Sequence, residues 1–154
     1  NLTNATKIQF YSGSLAAFSA PLLATVSTQF QMQFVTSASP YAVTFPSLTS
    51  AGTFFLQNVP FTSISVPVLQ TAGTTYVVVN SALTTFSAPQ LQHVTDNFAI
   101  AANPLFSSVS LGALIGVSGS FQVTNTLLAC PTVTTLLGQL TSPAPSSYNI
   151  NPCL

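Results

Sequence analysis

A Pro-x-Leu pattern recurs along the chain and constrains its fold more than any other feature. It occurs four times, and a fifth copy has Gly in place of Pro: Pro21 to Leu23, Pro46 to Leu48, Pro67 to Leu69, Pro89 to Leu91 and Gly112 to Leu114. Successive copies are about 21 to 25 residues apart, which is the period of a leucine-rich-repeat coil. Three residues after each Leu comes a small apolar residue: Val26, Ala51, Ala72, Val94 and Val117.

Each copy predicts two short strands with period-two alternation. The first strand follows the small residue, and its inward pairs are Ile8 and Phe10, Phe30 and Met32, Phe54 and Leu56, Tyr76 and Val78, Phe98 and Ile100, Phe121 and Val123. An Asn closes four of these strands, where it is expected to bond the turn and the next coil: Asn58, Asn80, Asn103 and Asn125. The second strand precedes each Pro. Alternation that recurs once per coil predicts parallel strands stacked about 4.8 Å apart.

These patterns predict an all-β fold, a right-handed parallel β-solenoid of about six coils with little or no helix. The right hand follows from the crossover rule for parallel strands. At 154 residues the chain fits one domain. We expect residues 1–7 to form an N-terminal strand or arm, residues 8–125 the repeats and residues 126–154 a C-terminal cap.

The segments PQLQHVTDNFAIAAN and SLTSAGTFFLQN carry a family resemblance. They resemble the receptor L-domain type of leucine-rich repeat, especially fungal glycoproteins that carry a GPI lipid anchor and organise the cell wall. The resemblance covers about Ile8 to Asn125, and the CP…CL tail is similar to the cysteine cap of those modules. It implies an extracellular structural or recognition role without catalytic residues.

Composition excludes several classes of partner. Charged residues make up 1% of the chain and Lys7 is the single Lys or Arg, so no basic patch exists to neutralise the phosphates of nucleic acid or anionic lipid. Ser, Thr, Gln or Pro interrupts every apolar run before the roughly 18 residues that span a bilayer, so we expect no membrane insertion. A net charge of zero removes the long-range repulsion between copies, and homo-oligomerisation is the expectation.

Three further signals favour an extracellular or cell-surface protein. The chain begins at Asn1 rather than Met, which suggests a processed form. Asn1 and Asn4 each start a glycosylation sequon. Cys130 and Cys153 form either a disulfide, which would stabilise the last coil by roughly 3 kcal/mol, or a pair of buried thiols.

The single His and the single acidic residue of the chain lie in one short segment and are candidates for a catalytic site. Ser87, His93 and Asp96 lie within ten residues of one another. However, Ser87 occupies the repeated hydroxyl position and nothing marks a strained nucleophile turn, so the sequence favours a surface His and a turn-capping Asp over an enzyme. The few His, Cys, Asp and Glu residues favour neither a metal site nor a cofactor.

Two surfaces remain as candidate sites. An outward apolar column on consecutive coils predicts self-association: Phe55, Val77, Val79 and Ala99. An outward hydroxyl column before the prolines predicts a flat polar face: Ser19, Thr44, Ser65, Ser87 and Ser110. The leading expectation is a secreted, non-enzymatic structural protein that self-associates into a fibre, wall layer or coat. The alternative is a module that binds ice or polysaccharide through the hydroxyl face.

Overall fold

The chain forms a parallel β-solenoid of about six coils, as the repeat predicts. The computed structural model describes residues 2–124 and 126–151. Two parallel sheets enclose the core, and each coil passes from the larger sheet through a corner to the smaller sheet and then through a tight turn to the next coil. We call the larger one sheet A and the smaller one sheet B.

Within the described residues, sheet A has nine strands. They are β1 (Asn4–Ser14), β2 (Thr25–Thr36), β4 (Ser50–Gln57), β6 (Thr71–Val78), β8 (His93–Val94), β9 (Phe98–Ala101), β11 (Gly116–Val117), β12 (Ser120–Thr124) and β13 (Ser147–Asn151). The first coil therefore begins inside the expected arm. β13, inside the expected cap, adds another parallel strand beside β12.

In the part of the chain that the structure describes, sheet B has four strands, β3 (Tyr41–Thr44), β5 (Phe61–Ser65), β7 (Thr85–Ser87) and β10 (Ser108–Ser110). One helix, α1 (Cys130–Gln139), follows the last complete coil. Pro occupies its first turn, where a missing N–H costs nothing, and Val133 and Leu136 turn into the core. The helix covers the C-terminal end of the stack.

The Pro-x-Leu pattern marks a β-turn that recurs in every coil. Its hydrogen bond runs from the Leu N–H to the carbonyl three residues earlier, with N···O distances of 3.0 to 3.3 Å: Leu23 to Ala20, Leu48 to Phe45, Leu69 to Val66, Leu91 to Ala88 and Leu114 to Leu111. Pro stands second in four of these turns, where its fixed φ is already correct. All five Leu side chains are buried, as the repeat predicts.

Stacked aromatic rings fill the core beneath sheet A. Phe30 stacks on Phe54 with ring centroids 5.4 Å apart, and Phe98 stacks on Phe121 at 5.3 Å. Thr75 occupies the place between these two pairs, because β6 aligns it with Phe54 and with Phe98. Its hydroxyl is buried and has no hydrogen-bond partner among the described residues.

The register of β6 differs by one residue from the prediction. The repeat predicts Tyr76 and Val78 inward and Val77 outward, and this is wrong: Val77 is 0% exposed in the core, and its two neighbours lie on the outer side of sheet A. The reason is a bulge. β2 shifts register after Val26, but β4 and β6 pair without a shift, so in β6 the third residue after Ala72, Thr75, takes the inward place.

Gly73 explains why this coil lacks the bulge. A Cβ added at Gly73 would collide with the backbone carbonyl of Gly52 in the preceding coil. The two Ala-Gly-Thr segments therefore stack at closer range than a larger residue permits. An inward residue then follows Ala51 and Ala72 after three positions, whereas four positions separate Val26 from Phe30.

The Asn residues bind a different coil from the one expected. Asn80 and Asn103 are buried, and each Oδ1 accepts a backbone N–H of the preceding coil, from Val59 at 3.0 Å and from Asn80 at 2.8 Å. Their Nδ2 atoms donate to the carbonyls of Leu56 and Val77, also in the preceding coil. Each Asn thus ties two coils together where the chain leaves sheet A.

Asn58 does not belong to this ladder. It is exposed and lies at a corner where successive coils each place one residue in the left-handed region: Ser12, Phe34, Asn58, Val79 and Ala102, with φ of 48 to 59°. Asn125, the last predicted member of the ladder, lies outside the described residues. The corner is a regular feature of the solenoid, and the sequence does not fill it with the glycine that its geometry favours.

Candidate functional site

The structure places Ser87, His93 and Asp96 on different elements of the fold. Ser87 lies in β7 of sheet B, whereas His93 lies in β8 of sheet A. The Asp96 carboxylate accepts hydrogen bonds from Thr74 Oγ1 at 2.7 Å and from Asn97 Nδ2 at 3.0 Å. No hydrogen bond joins the three side chains to one another in the described part of the chain. Asp96 instead stabilises a turn on the outer side of sheet A.

Tyr41 is the titratable group whose environment is most perturbed. Its phenol oxygen is buried without a hydrogen-bond partner among the described residues, and burial raises the pKa of this phenol above its usual range. The ring packs edge-on against Phe61 at 5.3 Å. The group therefore stays protonated at neutral pH and has a packing role.

Neither a metal-binding cluster nor a membrane-spanning helix is present among the described residues. Residues 2–124 and 126–151 contain no group of three or more His, Cys, Asp or Glu side chains placed to hold a metal ion. Within those ranges, no helix has the length and apolar character needed to cross a membrane.

The predicted association column is broken in the structure. Val77 belongs to the core, as described above. Ala99 points outward but is only 3% exposed, because Tyr76 and Gln122 flank it on the neighbouring strands. Val79 is exposed, but it lies at the left-handed corner beyond the end of β6. Phe55 alone keeps its expected place on the outward side of a strand of sheet A.

The outward side of sheet A, which we call the outer face, has Tyr76 where the predicted column has Val77, and amides lie on the coils before and after this region. Its central column runs in register through the strands: Gln9, Gln31, Phe55, Tyr76, Ala99, Gln122 and Asn149. The Phe55 and Tyr76 rings meet edge to face with centroids 5.8 Å apart. The alternation QFQMQF at residues 29–34 is the sequence signal for the amide-rich part.

The amides of the outer face form a connected network. Gln9 Nε2 lies 3.0 Å from Gln29 Oε1 and 2.9 Å from Gln31 Oε1, and Gln31 Nε2 donates to Gln33 Oε1 at 2.8 Å. Gln33 Nε2 continues the chain to Gln57 Oε1 at 2.7 Å. These bonds fix side chains on three consecutive coils, so this part of the face is ordered before any ligand arrives.

The hydroxyl face has the expected register over four coils. Thr44, Ser65, Ser87 and Ser110 are aligned across sheet B. A second column holds Ala42, Ser63, Thr85 and Ser108 beside them. Ser19 lies outside sheet B, because the first coil forms no strand there. This face is flat and polar but contains no aromatic side chain in its strands' outward positions.

An uncovered apolar surface lies at the start of the solenoid, beside β1. We call this surface the N-terminal end. A cavity of about 360 Å³ opens there between β1 and the first turn. Apolar side chains around it are exposed or half-buried: Leu2, Ile8, Phe10, Phe18 and Leu22. β1 is eleven residues long and pairs only with β2, so no described residue pairs with its other edge.

The opposite end of the solenoid is covered in part, because α1 packs there and β13 adds a five-residue strand to sheet A. Cys130 begins the helix, but Cys153 lies outside the described residues, so the disulfide stays a prediction. Of the two sequons, Asn1 also lies outside them. Asn4 is exposed at the start of β1, where its Oδ1 accepts a hydrogen bond from Thr25 Oγ1 at 2.6 Å.

Comparisons with protein-family models, with curated proteins and with solved structures gave no match.

Proposed function

We propose that this protein is an extracellular, non-enzymatic structural protein that self-associates through its N-terminal end. The observation that carries the proposal is the free edge of β1 beside exposed Phe10 and Leu22, which are 36% and 46% exposed. An edge strand presents unpaired N–H and C=O groups that template pairing with another chain. Exposed apolar area beside that edge adds a hydrophobic contribution.

The proposed occupant of this surface is a second copy of the chain. β13 is the other edge strand of sheet A, but it has five residues where β1 has eleven, so the longest pairing open to β1 is with its own equivalent. Such a contact is isologous and closes as a two-fold dimer in which the two copies of sheet A become continuous. With one Lys and one Asp in the whole chain, almost no charge repulsion opposes it.

Three observations support the rest of the proposal. Asp96 is held by Thr74 and Asn97 rather than by His93, which favours a non-enzymatic role. The exposed sequon at Asn4 and the Cys130–Cys153 pair favour an oxidising, extracellular location. The resemblance of the repeats to receptor L-domain glycoproteins of cell walls points the same way, and under this interpretation the tail is their cysteine cap.

Sedimentation velocity on protein made without glycosylation tests the association. We expect dimers whose fraction rises with concentration. Phe10→Lys and Leu22→Lys should each give monomers, because an ammonium group has to be desolvated in the apolar contact. Circular dichroism should show that both variants keep the solenoid, since both side chains are already exposed.

Tyr148→Lys is the matched control. Tyr148 is 59% exposed on β13, at the other end of the same sheet, so a charge there should leave the dimer intact. A parent protein that stays monomeric at all concentrations would contradict the proposal. Equal loss of dimer in Phe10→Lys and Tyr148→Lys would place the contact elsewhere.

A second candidate function, ice binding, rests on the register of the hydroxyl face. Two columns of mainly Ser and Thr side chains are aligned at the strand spacing over four coils of sheet B. Thermal hysteresis measurements test it: activity that disappears in Ser65→Lys but survives in Phe10→Lys would favour this candidate. Parent protein without thermal hysteresis would eliminate it.

A further inference from the structure

We propose that the outer face of sheet A binds an uncharged polysaccharide, with Phe55 and Tyr76 as the centre of the site. This binding function is additional to self-association, and the two surfaces are distinct. The N-terminal end lies at β1, whereas the aromatic pair lies on β4 and β6 in the middle of the sheet.

The aromatic pair supplies an apolar contact of limited size. Both rings are half-buried on consecutive coils and meet edge to face at 83° between planes. The C–H face of a pyranose ring is apolar and packs on aromatic rings, while its hydroxyls remain at the rim. The two rings, with outward Val78 and Ala99 beside them, form a small apolar patch bordered by amides, and this fits a sugar better than a protein partner, whose contact needs a larger dry core.

Polar groups around the pair are available to the hydroxyls of a ligand. The Tyr76 hydroxyl forms no hydrogen bond with any described residue. Gln57 accepts a hydrogen bond through its Oε1, and its Nε2 has no partner among the described residues. On the other side of the pair, Gln122 Nε2 lies 3.4 Å from Thr124 Oγ1, and its Oε1 has no partner in the described ranges. A phenol at Tyr76, an amide donor one coil before it and an amide acceptor two coils after it therefore lie along the same face.

The amide network orders one flank of the site. Gln57 is held by Gln33, which is held in turn by Gln31 and Gln9 on the preceding coils. Long side chains that are already fixed lose less entropy when they bind a ligand. Since the coils repeat at the strand spacing, the face presents a linear series of polar positions to an extended polymer rather than a pocket for a small molecule.

Charge excludes the other polymeric ligands. Lys7, at the edge strand, is the only cation that β1 contributes to the outer face, and the strands from β2 to β13 carry no Lys or Arg. Nucleic acid and sulfated or carboxylated polysaccharides therefore find no counter-charge near Phe55 and Tyr76. A neutral polymer needs none, because hydroxyls pair with amides and phenols.

Pull-down on microcrystalline cellulose and on chitin, with heparin resin as the anionic comparison, tests the proposal. The parent should be retained by at least one of the two neutral polymers and not by heparin. Tyr76→Ala should weaken retention at least about tenfold, since aromatic anchors at the centre of a site commonly contribute that much. Gln57→Ala, which keeps both rings, should weaken it by a smaller factor.

Tyr148→Ala is the control, because it removes an aromatic side chain that is more exposed than Tyr76 and lies on β13, outside the site. It should bind like the parent. Phe10→Lys should also retain binding, so failure of self-association and failure of this proposal are distinguishable. Retention by neither polymer, or equal losses in Tyr76→Ala and Tyr148→Ala, would overturn the proposal. A change of oligomeric state in Tyr76→Ala would instead assign the face to a second copy.

Discussion

Thr75 lies opposite Phe54 in the parallel register of β4 and β6, and its buried hydroxyl has no hydrogen-bond partner in the described part of the chain. A buried polar group without a partner costs about 1 to 3 kcal/mol. Thr75→Val keeps the shape and removes the hydroxyl, so it should raise the free energy of unfolding by about 1 kcal/mol. Chemical denaturation measures the change.

The adjacent Thr74 provides the control for that substitution. Its hydroxyl donates to Asp96 at 2.7 Å on the outer side of the sheet, so Thr74→Val should lower stability rather than raise it. A loss of stability in Thr75→Val comparable with that in Thr74→Val would show that the Thr75 hydroxyl is satisfied.

Lysine substitutions at Val77 and Val78 test the corrected register of β6. Val77 is fully buried, so Val77→Lys should destabilise the fold by more than about 3 kcal/mol, because an ammonium group enters the core. Val78 points outward, and Val78→Lys should change stability by less than about 1 kcal/mol. Thermal melts of the two variants decide between the registers, since the reverse order would restore Val77 to the outer face.

Val79 is a β-branched residue at φ 59°, in the left-handed corner. This conformation costs an L-residue roughly 1 to 2 kcal/mol, and Asn adopts it more readily, as Asn58 does one coil earlier. Val79→Asn should therefore stabilise the protein by about 1 kcal/mol. The same change at Val78, inside β6, should not stabilise it, and denaturant midpoints of the pair give the comparison.

Asn103 connects two coils through buried hydrogen bonds with the Asn80 N–H and the Val77 carbonyl, at 2.8 and 2.7 Å. Asn103→Ala leaves both groups unpaired, so we expect a loss of about 2 to 5 kcal/mol. The exposed Gln92 serves as a control, and Gln92→Ala should change stability little. If hydrogen exchange at the Asn80 amide were unchanged in Asn103→Ala, the ladder would not hold the coils together.

The repeat made the architecture predictable from the sequence. Each turn needs Pro or Gly near its start and a buried Leu at its end, so the period of these residues is also the period of the coil. The hydroxyl register of sheet B followed for the same reason. α1 was not predicted, because it lies in the tail after the last copy of the pattern.

The sequence did not predict correctly which side chains of β6 face the core. Tyr76 matches the aromatic position of its neighbours by type, but the Gly52–Gly73 contact removes a bulge and shifts the strand by one residue. A shift of one residue exchanges the two faces of a strand. The predicted apolar column therefore loses Val77 to the core and has Tyr76 in its place, and in our proposal the association site is at the N-terminal end instead.

Hydrogen–deuterium exchange of β1 as a function of protein concentration tests the proposed association most directly. Pairing of the free edge with a second copy protects amides that point away from β2, so peptides covering Asn4–Ser14 should exchange more slowly at concentrations where dimers form. Peptides covering Ser147–Asn151 should exchange at the same rate at all concentrations. Unchanged exchange in β1 while dimers form, or protection that appears at β13 instead, would contradict an N-terminal contact.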